Sequence, residues 1–86
     1  MATKNNAKDR NRVSADDIST FMGTNVRHRR EELGFTQGTL ADALGIHRVT
    51  LNAIERGRQC VRGNTLADLC YHLNCKPAEL MTPDFF

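Results

Sequence analysis

Residues 48–56 read RVTLNAIER, and within them Arg48 and Asn52 stand four residues apart. On a helix that spacing puts both side chains on one side, one turn from each other. Leu51 and Ile54 turn the opposite way, and Val49, Ala53 and Arg56 complete the outward side. An arginine fork matches the O6 and N7 of guanine, an asparagine amide matches the N6 and N7 of adenine, and Val49 or Ala53 can pack on a thymine methyl. The major groove of double-stranded DNA admits an α-helix. The chemistry offered is therefore base reading by Arg48, Val49, Asn52 and Ala53. An exposed helix face carrying polar residues for stability alone would show the same spacing, and the residues around it decide between the two.

Those residues favour a polyanion. Thr36 and Gln37 begin a preceding helix, whose first amides point outward and suit a backbone phosphate. Arg56, Arg58 and Arg62, at and beyond the end of the reading helix, offer a second phosphate anchor. His47 opens that helix; it either contacts phosphate or leaves the end less well capped than a hydroxyl would, and phosphate contact is favoured. Net charge is only +2, yet it is unevenly placed: residues 1–15 carry +3, 16–44 carry −2, 45–63 carry +3 and 64–86 carry −2. Alternating blocks of this kind describe a charged face with a directed partner rather than a general polycation.

Positioning such a helix takes a frame, and the apolar pattern predicts one. Ile18, Met22, Val26, Arg30 and Leu33 recur at spacings of four and three, the signature of one helix face. Ser14 or Asp16 can cap that helix, and Gly34 can end it. Thr36 caps a short helix with Leu40, Ala41 and Leu44, stopped by Gly45. A third holds Leu51 and Ile54 and ends before Gly57. A fourth buries Leu66, Leu69, Cys70 and Leu73; its start is uncertain, with Asn64 a possible cap. Pro77 opens a short fifth that buries Leu80. No segment alternates as a strand does. The fold class is all-α, a compact domain of five helices at residues 15–81. Residues 1–14 are read as a flexible basic arm, poor in large apolar side chains, and residues 82–86 as a short tail. The arm's composition favours a disordered tail that adds attraction over one that reads the minor groove. Phe85 and Phe86 either join the last two helices in a dimer contact or cover the core.

The order from Gln37 to Glu55 has a geometric meaning. Two helices meeting steeply need a small residue at their closest approach, which Ala41 supplies, and a turn residue free to take positive φ, which Gly45 supplies. That is a helix-turn-helix. The chain from about Val26 to Leu80 closely resembles the Cro/cI-type, or XRE, family of helix-turn-helix regulators, whose domain is lambda-repressor-like. The resemblance is carried by Arg30, Gly34, Thr36-Gln37, Leu40-Ala41, Leu44-Gly45-Ile46, Ile54-Glu55-x-Gly57, and residues 66–73. It departs after Gly57, where Val61, Arg62 and Gly63 stand in place of the usual proline and serine-type cap. The resemblance implies a dimeric protein that occupies DNA operators, usually as a transcriptional repressor. It implies that Gln37 anchors its helix on phosphate, and that Arg30 and Glu55 form a partly buried structural ion pair rather than touch DNA.

Other classes are disfavoured. At 86 residues the expectation is one small domain, for which pairing with a second copy would help stability. No apolar run approaches a bilayer span, and the polar, basic start is unlike a secretory signal. Cys60, Cys70 and Cys75 are odd in number, which fits a disulfide framework badly and points to a reducing cytoplasm. Cys70, His72 and Cys75 lack the CxxC spacing of structural zinc, so packing cysteines and no metal or other cofactor are expected. His28, His47 and His72 are dispersed and there is no phosphate-cradling Gly-Lys-Ser/Thr loop, so an enzyme is not expected, and no small-molecule ligand is evident. The alternative function is an antitoxin or protein-docking module built on the same helices, which fold alone does not exclude.

Overall fold

The structure, a computed structural model, describes residues 13–86. Among them are five helices and no strand: α1 (Ala15–Glu32), α2 (Gln37–Leu44), α3 (Arg48–Glu55), α4 (Gly63–Leu73) and α5 (Pro77–Met81). Of the basic arm expected at residues 1–14, residues 1–12 lie outside the described residues.

Helix α1 forms because its start and end are both satisfied. Ser14, rather than Asp16, is the N-cap, its hydroxyl accepting the Asp17 amide at 3.0 Å. Asp16 and Asp17 in the first turn and Arg29 and Arg30 in the last complement the helix dipole. The inward stripe holds Met22, Val26 and Arg30, but not Leu33, which is 38% exposed. The helix stops at Glu32, so Leu33 sits where the chain already turns and the four-three periodicity no longer applies.

Helices α2 and α3 form a corner. The Thr36 hydroxyl accepts the Thr39 amide at 3.0 Å, capping α2. Gly45 then takes φ 69°, a left-handed conformation that side chains resist, and Ile46 donates back to the Ala41 carbonyl at 3.0 Å. Ala41 itself is buried in the core beside Leu40. Another close approach lies where α1 crosses the end of α3 at Gly23. A Cβ on that glycine would stand 2.4 Å from the Ile54 carbonyl oxygen and 2.7 Å from that of Glu55.

The corner and the last two helices close over one core of Val26, Leu40, Ala41, Leu51, Leu69, Leu73 and Leu80, flanked by Phe35, Leu44, Ile46, Leu66 and Phe86 among others. Helix α4 begins at Gly63, with Arg62 in the N-cap position and no side-chain cap bond. Asn64 therefore lies inside the helix, where its side chain accepts only from the adjacent Thr65 amide, at 2.9 Å. Two residues of α1 tie down the C-terminal part. The fully buried Asn25 amide donates to the carbonyls of Leu80 and Thr82, both at 2.7 Å. Arg29 donates to the Leu73 carbonyl at 2.8 Å, at the end of α4, and lies over the Phe86 ring. Phe86 thus covers the core, while Phe85 stays 47% exposed.

Candidate nucleic-acid interface

Helix α3 has two unlike sides. Leu51 and Ile54 are buried and bind it to the rest of the molecule. Arg48 and Val49 are exposed, Val49 to 74%, with Arg56 exposed at the helix end and Ala53 half-buried between them. His47 holds the N-cap backbone geometry with no side-chain cap bond, so the amides that begin α3 lack the partner a serine would bring. On α2 the Thr36 hydroxyl is already committed to Thr39, and what Thr36 can offer a phosphate is the first turn it shapes, with the amides of Gln37 and Gly38.

Two depressions flank α3. One is lined by Arg27, Arg30, Glu31, Gln37, Asn52, Glu55 and Arg56. The other is lined by residues including Thr50, Ile54, Cys60 and Arg62. Arg58 and Arg62 are exposed in the segment that leaves α3, and Arg62 lies on the flank opposite Gln37. The predicted base-reading side chains are therefore gathered on one helix, with predicted phosphate residues on either side of it.

Beneath that surface lies a charged anchor. Arg30 grips Glu55 with two parallel bonds, Nε to Oε2 at 2.6 Å and Nη2 to Oε1 at 3.1 Å, and its third arm donates to the Phe35 carbonyl at 2.8 Å. Both residues are buried. The hydrogen bond to Glu55 raises the Arg30 pKa above its ordinary value against the opposing effect of burial, so the guanidinium keeps its charge. The arrangement continues outward in a way the sequence does not announce. Gln37 Nε2 donates to Glu55 Oε1 at 3.0 Å, and Asn52 Nδ2 donates to Gln37 Oε1 at 3.4 Å. Gln37 and Asn52 are fifteen residues apart on different helices, and only the α2–α3 corner brings their amides together.

Away from α3, the Cys75 amide donates to the Cys70 carbonyl at 3.1 Å at the end of α4. Burial, with the Cys70 thiol beside it, pushes Cys75 up to about 11, and burial raises Cys70 as well. These are neutral packing thiols at physiological pH. Among the described residues, no three His, Cys, Asp or Glu side chains gather to hold a metal ion, and no helix is long and apolar enough to cross a membrane.

A capped short helix, a turn of residues 45–47 opened by Gly45 and a second helix with one exposed and one buried side define a helix-turn-helix. The helix-turn-helix family model matches residues 26–80. The chain is 36% identical over 63 residues to the HTH-type transcriptional regulator DicA of Escherichia coli K12, a match covering 73% of this chain and 47% of DicA. It thus spans about half the length of that relative. Among solved structures, the restriction-modification controller protein C.AhdI from Aeromonas hydrophila superposes with a TM-score of 0.67 at 31% identity, covering 72% of this chain and 94% of that one. The P22 c2 repressor, solved in complex with a synthetic operator, gives 0.68 at 32% identity and covers 73% and 96%. The chain belongs to the helix-turn-helix family.

Proposed function

We propose that this chain is a sequence-specific double-stranded DNA-binding transcriptional regulator, acting as a repressor, with α3 lying in the major groove. One observation carries the reading: α3 exposes Arg48, Val49 and Arg56 while Leu51 and Ile54 hold its other side in the core. The likeness to a repressor solved on an operator supports it. In this reading Arg48, Val49, Asn52 and Ala53 contact base edges. The first turn of α2 at Thr36 and Gln37, together with His47, Arg56, Arg58 and Arg62, meets the phosphates. The cytoplasm is where such a protein acts, and no catalytic step is assigned to it. A homodimer would place two copies of α3 in successive major grooves, with half-sites about 34 Å apart.

Selection of duplexes from random sequence at two salt concentrations tests the proposal. The protein should enrich a two-fold-symmetric site, with affinity falling steeply as salt rises. Arg48→Ala should flatten preference at one base pair, a loss of about 1–3 kcal/mol of discrimination. Arg58→Ala should weaken all duplexes alike and reduce the salt slope by about one unit. If neither change altered binding, α3 would not be the reading helix.

A further inference from the structure

The depression shared by α1, α2 and α3 carries net positive charge. Within its lining Arg30 and Glu55 cancel in their two-bond pair, which leaves Arg27 and Arg56 against Glu31. Glu31 holds Arg27 only loosely: Nε stands 3.6 Å from Oε2, beyond hydrogen-bond reach, and the two side chains are 62% and 52% exposed. The backbone explains why the two arginines are neighbours. Helix α1 meets the last carbonyls of α3 at Gly23. Arg27 stands one turn further along the same face of α1, and Arg56 directly follows Glu55 in the chain. Gln37, the first residue of α2, borders the same depression, but its side chain is committed inward, Nε2 to Glu55 and Oε1 to Asn52. One amide hydrogen and the first-turn main-chain amides of α2 are what remain there for an anion.

The geometry points to Arg27 of α1 and Arg56 of α3 as a clamp on a single phosphate of the DNA backbone, held across the mouth of this depression with the first turn of α2 at its edge. This rests on the DNA-reading function proposed above. A phosphodiester offers two equivalent anionic oxygens, and a guanidinium fork answers with charge-assisted hydrogen bonds that a neutral glutamine cannot match. An exposed ion pair contributes little, so Arg27 exchanges Glu31 for phosphate at small cost. Because the two arginines come from different helices, the phosphate also ties α1 to α3. Helix α1 thereby becomes a third helix in contact with DNA.

The test uses selected duplexes in which one phosphate at a time is replaced by an uncharged methylphosphonate. The wild-type chain should lose about tenfold in affinity at each phosphate it grips. Arg27→Gln and Arg56→Gln, in chains that thermal melting shows to be folded, should shrink that loss to about threefold or less at one and the same linkage. The double variant should lower the salt slope by about one unit rather than two, since a single phosphate is given up. An Arg27→Gln chain with the wild-type profile at every linkage overturns the clamp. Single variants that act at different linkages overturn it too, as does a double variant whose slope falls by about two units. The free protein gives a second readout, with inorganic phosphate as the probe. In nitrogen-15-labelled wild type the Arg27 and Arg56 side-chain Nε–H signals should move together as phosphate is added, and the Arg27 movement should shrink in Arg56→Gln. Equal Arg27 movement in the two chains, none included, overturns the shared site. A wild-type chain that binds no duplex refutes the proposed function instead, and the shared site is then decided by the phosphate titration.

Discussion

Helix α1 holds the molecule together at two places, and the two are built from different chemistry. On one side Arg30 grips Glu55 of α3, and the network runs on through Gln37 to Asn52, a half-buried member of the proposed DNA contact. On the other side Asn25 and Arg29 donate to main-chain carbonyls at the ends of α5 and α4, and nothing leads from them to the α3 surface. The charged knot is oriented at both ends and passes that orientation on. The amide knot satisfies orphan helix carbonyls and stops there. Damage to the first should loosen the helix that carries the proposed DNA contact; damage to the second should change only how much of the protein is folded.

Arg30→Met should have the largest effect. It leaves the Glu55 carboxylate buried without its cation, a change that typically costs about 3–5 kcal/mol, read as a drop in the denaturant midpoint; adding Glu55→Met should recover part of that loss. Asn25→Ala comes next. It strips the Leu80 and Thr82 carbonyls of their donor, a loss of about 1–3 kcal/mol, and duplex preference measured on the folded fraction should stay as in the wild type.

The helix starts give a smaller contrast. Thr36→Ala removes a hydroxyl that caps α2 and should cost about 1 kcal/mol, whereas His47→Ser adds a missing cap to α3 and should stabilise by about 0.5–1 kcal/mol in the same denaturation experiment. The thiols show the smallest effect, which appears only with pH. Because the thiolate is the reactive form, Cys75, held at about 11, should resist alkylation at neutral pH and gain reactivity as pH climbs toward that value, after the exposed Cys60. A raised thiol pKa means the folded state holds its proton longer, so this contribution to stability is complete below the ordinary thiol value of 9.0 and drains away as pH rises toward 11.

Local signals in the chain suffice where local physics decides. The caps at Ser14 and Thr36, the left-handed turn at Gly45 and the buried Leu51 and Ile54 each follow from residue type and spacing. Leu33 misled because periodicity carries no information about where a helix stops. The start of α4 is not legible, because Arg62 in the N-cap position makes no side-chain cap bond and Asn64, one residue inside, bonds only the adjacent Thr65 amide. Gly23 gave no sign of its importance, since its need for a missing Cβ comes from a helix that lies thirty residues further along the chain. The link from Gln37 to Asn52 was hidden for the same reason. Each residue alone reads as a candidate DNA contact, and only the folded corner makes them partners.

Titrating the nitrogen-15-labelled protein with its selected duplex, and following every backbone and side-chain amide, addresses the docking of α3 most directly. The shifts should concentrate at Arg48, Val49, Asn52, Ala53 and the first turn of α2, with Tyr71 and Phe85 left unmoved. Shifts confined to α4, α5 and the C-terminal residues, with α3 silent, would contradict the account.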